Sequence, residues 1–160
     1  MTVIKNPFMI LLTCALFITF YSCKKSAHEI ETQNLSSAIS KVNITNQVKW
    51  IVILPGLGCH GCIQEGEAFV KKYIGNKNVF FVLTNISSLK ILQQKVGVQL
   101  KNRSNVYVDY DDIFNMHTDN NVYPCIVQLE NGKVIEHEFQ SPKNGAAFYN
   151  LRSKIIKEKQ

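Results

Sequence analysis

From Lys49 onward, apolar runs alternate with amphipathic stretches, and the alternation predicts the elements. Trp50-Ile51-Val52-Ile53-Leu54 is an unbroken apolar, largely β-branched run, as expected of a strand buried on both faces. Gly56 and Gly58 loosen the backbone, and a helix is expected to begin around Cys59. Ile63, Phe69 and Tyr73 can face the sheet, Glu65 and Glu67 lie in the early turns, and Lys71-Lys72 lie in the late ones, which suits the helix dipole. Gly75-Asn76 is the stop. Val79 to Thr84 is a second apolar strand, and Ser87-Ser88 can cap a helix carrying Leu89, Leu92 and Val96. Val106-Tyr107-Val108 reads as a third strand, with a short helical segment from about Asp112 to Met116. Tyr123 to Leu129 is a strand, Glu130-Asn131-Gly132-Lys133 a tight turn, and Val134 to Phe139 the hairpin partner. Ala146, Ala147, Phe148, Leu151, Ile155 and Ile156 close the chain as an amphipathic helix. The order predicts an α/β fold with a central mixed β-sheet flanked by helices on both faces.

Upstream the pattern changes. Residues 24 to about 46 are rich in Lys, Ser, Thr, Asn and Gln and read as a polar tether. Ile30, Leu35, Ile39 and Val42 could give a short amphipathic helix there, though their spacing is uneven. Further upstream, Lys5 precedes an uncharged run from Phe8 to Tyr21 of fourteen residues. A bilayer takes about twenty; fourteen fit the apolar core of a secretion signal. The run ends at Ser22-Cys23 and turns polar at Lys24-Lys25-Ser26, which resembles the lipobox of bacterial lipoproteins. That resemblance implies that Cys23 is lipidated as the first mature residue. The expected division is then a lipoprotein-type signal peptide over 1–22, a tether over 23–46 and one domain over 47–160. It places the domain outside the cytoplasm, on the periplasmic side, lipid-anchored to a bacterial membrane. An uncleaved signal anchor with Cys23 a bystander is the alternative.

A length of 160 residues and an apolar share of 46% suit one domain whose core needs no disulfide scaffold. The net charge of +6 is carried by scattered lysines and arginines without an aromatic-interleaved basic stripe, so nucleic acid is not an expected partner.

The cysteines carry the candidate chemistry. Cys14 leaves with the signal and Cys23 takes lipid, which leaves Cys59, Cys62 and Cys125, too few for a disulfide framework. Cys59 and Cys62 also close too small a loop to stabilise the fold much. A redox pair and a metal clamp remain. A cysteine in the first turn of a helix meets backbone N–H groups that have no intrahelical acceptor, and these favour its thiolate. Cys59 is therefore the expected nucleophile, and Cys62, one turn on, the sulfur that resolves a mixed disulfide. His60, if protonated, further favours the thiolate and makes the disulfide more oxidising; an exposed loop histidine is the equal alternative. Cys125 reads as a small buried hydrophobe. His28, His117 and His137 show no convergent pattern, and Asp109, Asp111 and Asp112 mark a turn rather than a calcium loop.

Cys59-His60-Gly61-Cys62 at a strand-to-helix junction, with "VYPCIVQLENGKVI" over 122–135, resembles the thioredoxin superfamily, more closely its extracytoplasmic TlpA-like branch. The resemblance covers roughly residues 47 to 158. It implies a thioredoxin-like fold, a thiol–disulfide oxidoreductase with Cys59 and Cys62 catalytic, and no cofactor beyond the redox-active disulfide. It further implies that Pro124 is a cis-proline, that Tyr123 and Pro124 hold a substrate strand, and that 106–124 contribute an extra strand and helix before that proline. Partners would be protein thiols or disulfides and an upstream redox donor. The chain departs from the family at Gly58, where an aromatic residue is usual, at Ile53, where thioredoxins bury an acid, and at Gly61, where proline is common; Gly61 thus joins His60 as a redox-tuning position. Competing readings are Cu(I) or zinc binding by Cys59, His60 and Cys62, with Cys125 as a further ligand, and a catalytically idle thioredoxin-like binding lipoprotein. Covalent haem would require a histidine where Ile63 stands.

Overall fold

A computed structural model describes residues 25–158; the predicted signal segment and Cys23 lie outside them. The described chain runs α1 (Ala27–Ser40), β1 (Trp50–Pro55), α2 (His60–Tyr73), β2 (Val79–Thr84), α3 (Leu89–Val96), β3 (Val106–Asp109), a 3₁₀ turn (Asp119–Val122), β4 (Cys125–Glu130), β5 (Lys133–Phe139) and α4 (Ala147–Lys157). One five-stranded sheet has the order β3-β2-β1-β4-β5. β1, β2 and β3 run parallel, while β4 is antiparallel to β1 and β5 to β4. This is an α/β fold with a mixed sheet flanked by helices, compatible with a thioredoxin-like architecture.

Every residue of β1 and of β2 is buried, which is why both read as continuous apolar runs. Alternate side chains divide between two cores. Val52, Leu54, Phe81, Leu83 and Ile126 meet Phe69 and Val70 of α2 and Phe148 and Leu151 of α4. Ile51, Ile53, Val82, Cys125 and Val127 meet Leu35, Ala38 and Ile39 of α1. The β4–β5 connection holds Asn131 at φ 52° and Gly132 at φ 75°, the left-handed pair that a two-residue hairpin turn requires.

Three expectations are corrected. The stretch expected to be a tether is helical over Ala27–Ser40 and roofs one face of the sheet. Ser26 and Glu29 form a reciprocal capping box at its start, Ser26 Oγ accepting from the Glu29 N–H and a Glu29 carboxylate oxygen from the Ser26 N–H at 2.8 Å. Few large apolar groups suffice, because Leu35, Ala38 and Ile39 are all buried. The helical segment expected at Asp112–Met116 is a run of turns. Buried Asp109 accepts the N–H groups of Ile113 and Phe114 at 3.0 and 2.9 Å, and Asp112 and His117 take left-handed φ values, so an α-helical ladder cannot form there. The strand of that region, β3, does form, at the sheet edge beside β2.

The third correction concerns Pro124, whose peptide bond is trans; no cis bond occurs among the described residues. The 3₁₀ turn ends at Tyr123 with φ −110° and ψ 145°, the extended conformation favoured before a proline, and the chain enters β4 directly. The Pro124 carbonyl accepts from the Gln140 N–H at 2.9 Å, which ties this entry to the end of β5.

If α1 is an integral layer, Leu35→Ala should destabilise the domain by about 3 kcal/mol in urea unfolding, as for a fully buried leucine. A change within error would mean that 25–40 is a tether after all.

Candidate dithiol site

β1 ends at Pro55, and the chain crosses to α2 in four residues, Gly56 to Cys59. Cys59 is the N-cap of α2, with extended φ and ψ of −64° and 102°, and its carbonyl accepts the Ile63 N–H at 2.9 Å as the first turn closes. The Cys59 and Cys62 Cα atoms stand 5.3 Å apart and the sulfurs are disulfide-bonded. Cys59 is half-buried and Cys62 is 7% exposed, so attack from solvent can reach only the first sulfur. The first turn of α2 carries no acidic side chain; Lys71 and Lys72 occupy the last. The N-terminal dipole end therefore faces Cys59 without a competing negative charge.

The second wall is the 3₁₀ turn. The Cys59 N–H donates to the Val122 carbonyl at 3.0 Å. That approach requires Gly58, which has φ +143°, and a Cβ placed on it would lie 2.1 Å from the Val122 oxygen. An aromatic residue at this position would block the turn from seating, so Gly58 and the position of residue 122 go together. Among the expected substrate-binding residues, Pro124 is buried, and Tyr123 is half-buried with its N–H donated to the Asn120 carbonyl at 3.0 Å. The residue that touches Cys59 is Val122. Val122 is 42% exposed, and Leu57, two residues before Cys59, is 73% exposed. His60 and Gly61 are exposed at the start of α2, and nothing lies within 4 Å of where a Gly61 Cβ would sit. Ile53 is buried, so no acid lies beneath the dithiol in β1.

Cys125 does not join the pair. It is fully buried in the core beneath α1, on the sheet face opposite α2, and burial, reinforced by Glu31 and Glu138, pushes its thiol well above the ordinary range. A metal site drawing on Cys59, His60, Cys62 and Cys125 together is therefore not assembled. A cleft of about 540 Å³ between α1 and the β4–β5 hairpin is lined by neither Cys59 nor Cys62. The dithiol sits on open surface.

Sequence reasoning missed a second polar centre. Glu31 on α1 is 2% exposed, and its Oε1 accepts from Thr118 Oγ1 at 2.7 Å and Asn120 Nδ2 at 2.8 Å; its Oε2 lies 3.0 Å from Nε2 of buried His137 on β5. Burial raises the Glu31 carboxyl pKa, but hydrogen bonds from His137, Thr118 and Asn120 and the charge of His137 outweigh it, and the net shift is downward. Since Thr118 and Asn120 belong to the turn that ends in Val122, Glu31 holds the second wall of the dithiol from behind. The partners are 87, 89 and 106 positions from Glu31, and no local pattern announces such a contact.

Comparison with known proteins adds no name: no family model, no curated protein and no solved structure matches the chain.

Two measurements follow from this geometry. Gly58→Ala should cost about 1–3 kcal/mol of stability and speed hydrogen exchange at the Cys59 amide, because either the backbone strains or the Val122 contact breaks. Unchanged exchange at that amide would remove the contact from the account. With the disulfide intact, iodoacetamide should leave Cys125 unmodified in the native chain and label it once denaturant is added.

Proposed function

We propose that the chain is a thiol–disulfide oxidoreductase that exchanges the Cys59–Cys62 pair with protein thiols outside the cytoplasm. The observation that carries this reading is the pairing of a half-exposed sulfur at a helix start with a buried one a turn further on, at disulfide distance. In the reducing direction both cysteines begin as thiols. Amides of the first turn of α2 stabilise the Cys59 thiolate, which attacks one sulfur of a substrate disulfide. A Cys59–substrate bond forms, the substrate S–S bond breaks, and the departing thiolate takes a proton from water. Cys62, as thiolate, then attacks the Cys59 sulfur, restores the intramolecular disulfide and expels the second substrate sulfur. Two electrons pass to the substrate, and a dithiol donor must return them; with an oxidising partner the steps reverse.

Exposed Leu57, two residues before Cys59, and exposed Val122, whose carbonyl accepts the Cys59 N–H, offer apolar surface suited to an extended segment of a protein. Tyr123 and Pro124 fix the path of the turn that presents Val122, and in this reading they act as positioning residues. The lipobox-like Ser22-Cys23 supports a lipid anchor on the periplasmic side of a bacterial membrane. Among the described residues no helix is long and apolar enough to cross a membrane.

Equilibration with dithiothreitol redox buffers, followed by alkylation and mass analysis, should reveal one reversible two-electron step at Cys59 and Cys62; absence of the step would sink the proposal. If His60 tunes the pair, His60→Ala should shift the midpoint toward more reducing values, by about 30 mV for each 1.4 kcal/mol lost, and an unchanged midpoint would make it an exposed loop side chain. Cys62→Ser should accumulate mixed disulfides with partner proteins, and Cys59→Ser should accumulate none.

A further inference from the structure

We propose that His28, Glu31 and His137 form a binding site for a divalent transition-metal ion of the zinc class, distinct from the dithiol. One ligand atom from each lies within 4.8 Å of the others. His28 and Glu31 stand three residues apart on α1, hence on one face of that helix, and His137 reaches them from β5. Two imidazoles and a carboxylate are a borderline donor set suited to Zn(II) and its first-row neighbours, and three protein ligands leave a fourth position open. His28 is exposed, so that position faces solvent.

The outer contacts support the assignment. Glu31 presents Oε2 to the site while Thr118 and Asn120 hold Oε1. Thr32 donates its hydroxyl hydrogen to the His28 carbonyl at 2.8 Å, and so meets His137 Nδ1, 3.5 Å away, with a lone pair. On the other edge of the ring, His137 Nε2 lies 3.0 Å from Glu31 Oε2. Nε2 and Oε2 already point at one another, and a metal ion bound between them would supply the positive centre in place of the proton of that hydrogen bond. Metal-bound histidines and carboxylates have their remote atoms fixed in this manner.

The ligand spacing also fits. Bonds of about 2.0–2.2 Å in tetrahedral arrangement set ligand atoms roughly 3.3 Å apart, close to the existing Glu31–His137 separation. The His28 ring is stacked on His137, with centroids 4.3 Å apart and planes 10° from parallel. It must swing so that a ring nitrogen turns inward, and a side chain exposed in the first turn of α1 is free to do so.

The test uses the full chain in detergent with the Cys59–Cys62 disulfide intact, which keeps those sulfurs from acting as ligands. Cobalt(II) chloride is titrated while its visible d–d absorption is followed, with zinc(II) chloride binding measured by calorimetry. One equivalent per chain with a four-coordinate cobalt spectrum is expected. His28→Ala removes an exposed ligand and should leave the fold intact while weakening zinc binding at least tenfold, a loss that even outer contacts of metal ligands produce. Thr32→Val should weaken it by less. No saturable binding, or binding that survives His28→Ala unchanged, would overturn the proposal, and the first result would leave a proton as the positive centre. Loss on His60→Ala but not on His28→Ala would place the ion at the start of α2 and overturn it equally. The redox reading stands or falls separately, because every arm is run on the oxidised protein.

Discussion

The Cys59 N–H donated to the Val122 carbonyl joins the two halves of the dithiol site. One half is the β1–α2 junction, which fixes where the sulfurs sit; the other is the entry into β4, which fixes what stands beside them. The bond is between backbone atoms and crosses a position that only glycine can occupy, since Gly58 has φ +143° and no room for a Cβ. Burial of the sheet brings β1 and β4 into register, with Ile53 opposite Cys125, but registration alone does not bring Val122, three residues upstream of Cys125, onto the helix start. The approach is completed by Glu31, whose carboxylate gathers Thr118 and Asn120 under that loop.

The sheet was legible in the sequence because its signals are local. β1 and β2 are buried on both faces, so they announce themselves as apolar runs whatever lies across from them. Asn131-Gly132 marks the hairpin because few other pairs tolerate two successive positive φ values. The start of α2 was legible from the Gly56–Gly58 break and the periodicity after it. Helix α1 was not: its buried positions, Glu31, Leu35, Ala38 and Ile39, include a carboxylate and an alanine, and any apolar-periodicity test counts the first against a helix. A buried charge becomes recognisable only with its partners, and those of Glu31 come from β5 and the 3₁₀ turn.

The candidate site divides along the same line. Cys59 and Cys62 were identifiable from spacing and junction, but the residue that faces them was not, because the expectation of a cis bond at Pro124 put the contact two residues too late. With a trans bond and an extended Tyr123, the chain straightens into β4 at Pro124, and the preceding 3₁₀ turn is left to approach the sulfur. Gly58, which looked like the loss of an aromatic residue, is the space that this approach occupies. Gly58 and Val122, 64 residues apart along the chain, are thus two sides of one contact.

A contact made through main-chain atoms also separates chemistry from recognition. The frame around Cys59 depends on the amide at 59, the carbonyl at 122 and the open Cα of Gly58, none of which varies with the side chain at 57 or 122. Leu57 and Val122, by contrast, are exposed to solvent. Their size and polarity can change without moving the helix start that sets the thiolate, whereas changes at Glu31, Thr118 or Asn120 act on the frame while leaving the exposed surface chemically the same. The frame is thus built from buried and backbone groups, while the side chains at 57 and 122 stay open to solvent.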